Sequence, residues 1–254
     1  GLSSELEATF FDNLPEMSAL SLVAGDTQMT LSWNPLSGFD MPIKNLKYSV
    51  FMDSNLVTDE LESTEYVKAD LVNGDIHSFV VKATYGLIEV QRTFTSKTEP
   101  ASLSAFKAPD APSGLVVSDL ASTSLTLSWI AGNLNGTKHS KYKVYNDETL
   151  MREVVSNTVN LTGLTKGQDY NLSVMTVATR DELVGQSFVS EKSAVRTTRP
   201  YSAPSKVTSL AADVLDRSLK VNWSVPVDLG GYELQKYSLM YIQSPPNQDS
   251  QWIT

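Results

Sequence analysis

The chain has 254 residues, room for one large domain or two to three small ones, and its 41% hydrophobic and 19% charged content suits a folded protein rather than a disordered one. Twenty-nine acidic against 20 basic side chains leave a net charge of −9, which repels phosphate backbones and anionic lipid and argues against nucleic acid and bare membrane as partners. With no cysteine, thiolate zinc sites, disulfides and thiol catalysis are excluded, and no run of about eighteen apolar residues offers a membrane span.

Residues 1–14 contain Glu5-Leu6-Glu7-Ala8-Thr9-Phe10 and lead to Pro15, just as Ser193-Ala194-Val195-Arg196-Thr197-Thr198 leads to Pro204. They read either as the last strand of a preceding repeat or as an N-terminal arm. Pro15 fixes φ and lacks a donor, which suits a domain boundary. Next, Met29-Thr30-Leu31-Ser32-Trp33 alternates apolar and polar with period two, the pattern of a strand buried on one face. Fifteen residues past Trp33, Tyr48 lies in a second such strand, Lys47-Tyr48-Ser49-Val50. The acidic run Asp53, Asp59, Glu60, Glu62, Glu65 lacks the alternating Asp/Asn-and-Gly loop of an EF-hand and reads as a solvated loop face. Leu71-Val72-Asn73-Gly74-Asp75-Ile76-His77 then reads as a turn entering a strand.

The pattern returns after Pro112, in Leu125-Thr126-Leu127-Ser128-Trp129 and Lys141-Tyr142-Lys143-Val144, and after Pro204, in Leu219-Lys220-Val221-Asn222-Trp223 and Lys236-Tyr237-Ser238-Leu239. The tryptophans are 96 and 94 residues apart, the size of a small sandwich domain rather than of a solenoid repeat. In the second copy Leu164-Thr165-Lys166-Gly167-Gln168-Asp169-Tyr170 delivers a tyrosine to the start of a strand, where its hydroxyl can tie back to nearby backbone in a tyrosine corner. The first copy has His77 at that position, so its corner is expected to be weaker. It also has Lys68 where the second has Leu161, so Val67 is expected to reach the core through a one-residue shift. The third copy stops at Thr254, before a counterpart of the Leu-x-x-Gly-x-x-Tyr block, and is expected to need further chain or another subunit over its apolar face, with Trp252 starting its next strand.

Proline, an apolar strand, Leu-x-Leu-x-Trp, Tyr-x-Val and Leu-x-x-Gly-x-x-Tyr in this order resemble the fibronectin type III family. The clearest stretch runs from Trp223-Ser224-Val225-Pro226-Val227-Asp228-Leu229-Gly230-Gly231 to Tyr237. The resemblance implies an all-β fold of tandem immunoglobulin-like sandwiches, two complete (15–108 and 109–200) and one partial (201–254). Trp33, Trp129, Trp223, Tyr48, Tyr142, Tyr170 and Tyr237 are its expected structural core.

No constellation for catalysis stands out, so no enzymatic activity, cofactor or metal is expected of this segment. Of the two histidines, His77 is accounted for by the corner, and His139 reads as an exposed loop residue. Asn-x-Ser/Thr tripeptides at Asn135, Asn160, Asn171 and Asn222 are candidate glycosylation acceptors, although their number is close to chance. The loop Thr179–Gly185 is the candidate binding loop, through Arg180, Asp181, Glu182 and Leu183. The chain therefore reads as a structural or adhesive spacer array making protein–protein contacts with neighbouring repeats, other subunits or a receptor. Its expected setting is extracellular, at a cell surface or on a virion surface. The alternatives are an accessory spacer of a longer secreted hydrolase and a receptor ectodomain.

Overall fold

The computed structural model describes residues 15–39, 42–88 and 92–241, together with the backbone of 251–253. The reading of 1–14 lies outside the described residues. Among them every regular element is a strand.

The first repeat supplies β1 (Ser21–Gly25), β2 (Gln28–Ser32), β3 (Ile43–Met52), β4 (Asn55–Leu61), β5 (Glu65–Lys68), β6 (Ile76–Leu87), β7 (Thr93–Lys97) and β8 (Ala101–Ser104). They form two antiparallel sheets: β1-β2-β5, and β4-β3-β6-β7 with β8 also on β6. Alternation along β2 sends Met29 and Leu31 inward, where both are fully buried with Val50, Phe79 and Val81 of the facing sheet. Burying side chains of this size stabilises by about 1.5–3 kcal/mol each, which offsets the ordering of the strands. Asp53 and Ser54 both have positive φ, 51° and 69°, and close the β3–β4 hairpin in the conformation a two-residue loop requires.

The second repeat repeats the plan. Its strands are β9 (Ser113–Ser118), β10 (Ser124–Ile130), β11 (Lys138–Asn146), β12 (Thr149–Val154), β13 (Thr158–Thr162), β14 (Tyr170–Thr179), β15 (Phe188–Val189) and β16 (Arg196–Thr198). The sheets are β13-β10-β9, and β12-β11-β14-β15 with β16 also on β14. Leu125, Leu127, Val144, Leu161, Leu172 and Val174 fill its core.

In the third repeat β17 (Ala211–Leu215) pairs with β18 (Ser218–Asn222), and β19 (Leu239–Tyr241) with β20 (Gln251–Ile253). Trp252 lies in β20, on the strand that pairs with β19. Here the core expectation fails in part. Trp33 and Trp129 are buried, but Trp223 is half-buried and Leu219 is 58% exposed, since β17 and β18 form only a two-stranded sheet among the described residues.

Each tryptophan nevertheless meets the tyrosine of the following motif edge-on, Trp33–Tyr48 at 5.4 Å, Trp129–Tyr142 at 5.2 Å and Trp223–Tyr237 at 5.3 Å. Such an aromatic pair adds about 0.5–1.5 kcal/mol beyond the area it buries. The one-residue shift at Val67 does not occur. Lys68 opposes Met29 and Tyr66 opposes Leu31, leaving Val67 exposed and Tyr66 packed on the core. The register survives because the lysine stem can run along the sheet while its ammonium reaches the Ala69 carbonyl at 2.5 Å.

The compact units do not follow the repeat boundaries. One comprises 1–110 with 133–140 and 177–190, the other 111–132 with 141–176 and 191–254.

Candidate interaction sites

The β14–β15 loop opens at Arg180, which is not the exposed binding residue expected of it. Only 4% of Arg180 is accessible. Within the first unit its guanidinium donates to the Gly136 carbonyl at 3.0 Å and to the Ser104 hydroxyl at 3.1 Å, and Nε lies 3.4 Å from Glu182. The Phe106 ring lies beneath it at 4.3 Å, and Phe106 in turn meets Phe188 edge-on at 5.0 Å. A planar cation with partners for its fork and a ring for its face is a built packing anchor. Arg180 is therefore unavailable to a ligand.

The remainder of the loop is open. Asp181 and Glu182 are exposed, Leu183 is half-buried, and Val184 at the tip is 90% exposed. Two successive turns shape it, with Leu183 N donating to the Arg180 carbonyl at 3.2 Å and Gln186 N to that of Leu183 at 3.0 Å. A cleft of about 380 Å³ lies beside Arg180, with Leu22, Ala24, Leu103 and Phe106 among its lining residues.

The four asparagines divide. Asn135 is buried at positive φ, its amide nitrogen donating to the Ala108 carbonyl at 3.1 Å and to Asp110 at 3.0 Å, so this atom is not free to carry a glycan. Asn171 is half-buried, its amide donating to Asp147 and its carbonyl oxygen accepting from Thr197. Asn160 and Asn222 are exposed on β13 and β18.

The tyrosine corner forms in the second repeat, where Thr165 N donates to the Tyr170 hydroxyl at 2.8 Å. In the first repeat His77 Nδ1 lies 2.7 Å from the Asp53 carboxylate, and the same carboxylate accepts from Ser78 N at 2.9 Å. The hydrogen bond from His77, aided by that from Ser78, holds the Asp53 carboxyl below its ordinary pKa. A carboxylate tie to the β3–β4 turn thus stands where the hydroxyl corner would be. His139 lies inside β11, half-buried, rather than in an exposed loop.

The acidic run is dispersed: Asp53 meets His77, Asp59 and Glu60 lie on β4, and Glu62 takes the Lys47 ammonium at 2.5 Å. Among the described residues no group of three histidine, aspartate or glutamate side chains is placed to hold a metal ion. A second cleft, of about 670 Å³, gathers Lys44, Lys47 and Arg92, but Glu60 also lines it and Lys47 is engaged by Glu62. No helix among the described residues is long and apolar enough to cross a membrane.

The second repeat, with sheets β13-β10-β9 and β12-β11-β14-β15, Trp129 buried on β10 and a tyrosine corner at Tyr170, has the plan of a fibronectin type III-like sandwich. Residues 110–191 match the family model of the fibronectin type III domain, so the second repeat is a fibronectin type III domain. The first repeat shares this two-sheet plan and the third its tryptophan–tyrosine pair, and domains of this family are in general not themselves catalytic.

Chitinase A1 of Niallia circulans is 28% identical over 68% of this chain and 24% of its own length. Exoglucanase B of Cellulomonas fimi is 27% identical over 85% of this chain and 20% of its own length. Receptor-type tyrosine-protein phosphatase S of Gallus gallus is 25% identical over 72% of this chain and 12% of its own length. In each case the chain covers a quarter or less of the relative.

Proposed function

We propose that the chain is a non-catalytic spacer and protein-interaction array of an extracellular protein. The observation that carries this reading is that similarity to two proteins named as polysaccharide-degrading enzymes and one named as a receptor-type phosphatase extends over most of this chain but a quarter or less of each relative. A module shared by proteins of such different activity supplies what they have in common, which is architecture rather than chemistry. The domains proposed are 15–108, 109–200 and 201–254. Their partners are other proteins, met through the exposed part of the 181–185 loop, where Leu183 and Val184 follow the charged pair Asp181 and Glu182.

Of the settings open to such an array, an accessory region of a polysaccharide-active hydrolase is favoured by the two enzyme relatives, and a receptor ectodomain by the third. The test is the chain itself, incubated with soluble and insoluble chitin and cellulose. This reading expects no sugar release from any of them. Release that scales with protein concentration would contradict it.

A further inference from the structure

Two segments 95 residues apart in the chain are tied by the same three backbone hydrogen bonds. Within the first unit, Gly74 N donates to the Ala105 carbonyl at 2.9 Å, Lys107 N to that of Asn135 at 3.2 Å, and Asp110 N to that of Asn133 at 2.8 Å. Within the second unit, Gly167 N donates to the Pro200 carbonyl at 2.9 Å, Ser202 N to that of Gly230 at 3.0 Å, and Ser205 N to that of Asp228 at 2.7 Å. Ala105, Lys107 and Asp110 map onto Pro200, Ser202 and Ser205 at one constant offset, as do Asn133 and Asn135 onto Asp228 and Gly230.

The steric closure is repeated as well. A Cβ on Gly136 would stand 2.8 Å from Gly74 N and 2.7 Å from the Ala105 carbonyl oxygen, and one on Gly231 would stand 2.8 Å from Gly167 N. All four glycines have positive φ, between 79° and 100°. Only glycine combines that conformation with so close an approach of two backbones. The receiving loops are braced alike, Asn135 N donating to the Asn133 side chain at 2.8 Å and Gly230 N to that of Asp228 at 2.9 Å.

Around this shared backbone the side chains differ. The first copy is sealed by Asn135 on Ala108 and Asp110 and by Arg180 on Gly136 and Ser104. The second is sealed by the Lys166–Asp228 ion pair and by Asp228 N donating to the Ser205 hydroxyl at 3.1 Å.

We propose that these are two copies of one joint, whose role is to hold the linkers 105–110 and 200–205 as fixed splints rather than tethers. Each linker is clasped between the Leu-x-x-Gly turn of one repeat and the loop after the tryptophan strand of the next. This goes beyond the spacer reading, since sandwiches on free tethers would also be spacers. The glycine of the family motif, which enters the corner turn, thereby has a second task as the floor of the joint.

Amide hydrogen exchange on the full chain tests the joint. In the unsubstituted protein the Lys107, Asp110, Ser202 and Ser205 amides are expected to be protected although they lie outside strands. Gly136→Ala should speed exchange at Lys107 and Asp110 by about tenfold or more, and Gly231→Ala should do so at Ser202 and Ser205, while the Leu127 amide stays protected. Gly185→Ala and Gly163→Ala are the controls: both glycines have positive φ but open space around the added Cβ. They impose the backbone strain alone and should leave all four joint amides protected. Free-peptide exchange at these amides in the unsubstituted chain would overturn the proposal, as would joint amides unmoved by Gly136→Ala and Gly231→Ala, or moved equally by the controls. If Gly136→Ala unfolds its sandwich, protection in the unsubstituted chain decides alone. None of these outcomes bears on sugar release, so the joint and the spacer reading fail separately.

Discussion

Trp129 and Trp223 occupy equivalent places in the pattern but not equivalent environments. Trp129 is 3% exposed in a closed core, so Trp129→Ala should cost about 3–5 kcal/mol in denaturant unfolding of the second repeat. Trp223 is half-buried beside an open apolar cleft, and Trp223→Ala should cost about 1–2 kcal/mol. Asp53 sets a pH dependence with a definite sign. Its folded-state pKa lies below the unfolded one, so its contribution is complete above the ordinary carboxylate pKa and is lost as pH falls through the lowered value. Acid titration of the first repeat should therefore show a stability loss that Asp53→Asn abolishes; identical acid profiles would remove the His77–Asp53 tie from the account. The replaced corner was legible at His77, but its substitute was not, because Asp53 comes from a turn 24 residues earlier. Arg180 and Asn135 were misread for the same reason. Their partners Ser104 and Ala108 lie 76 and 27 residues away, and a charged or amide residue in a polar loop gives no local sign of burial.

At the scale of elements, period-two alternation was enough to place β2, β3, β10 and β11, since the apolar face of each strand is continuous and register is fixed wherever one face is buried. It failed on β5. There a lysine in an inward register looked forbidden, whereas its apolar stem and an adjacent carbonyl accommodate it without a bulge. The corrected register makes a contrast that thermal or denaturant unfolding can read. Tyr66→Ala should cost the first repeat about 2–4 kcal/mol, and Val67→Thr should stay within about 0.5 kcal/mol. Equal costs at the two positions would restore the shifted register. The third repeat shows where the pattern overreached. Its tryptophan and tyrosine motifs are present in sequence, yet β17 is exposed at every residue and β18 at all but one, because a strand pattern specifies which face is apolar and not what covers it.

For the whole molecule, the three Trp–Tyr pairs and the doubled linker joint carry the same lesson at longer range: one supersecondary plan is reused, and sequence spacing reports it well. What spacing does not report is compactness. Segments 133–140 and 177–190 belong to the first compact unit although they lie in the second repeat, and within that unit Gly136 approaches Gly74 and Arg180 reaches Ser104. Forced unfolding of the full chain by its two ends separates the repeats, because a sandwich gives way as a unit and releases a fixed length of chain. Two separate mechanical events are expected, each releasing about 90 residues and lengthening the molecule by on the order of 300 Å. A single event spanning both repeats, or smooth extension with no event, would contradict a tandem of independently cored fibronectin type III-like domains.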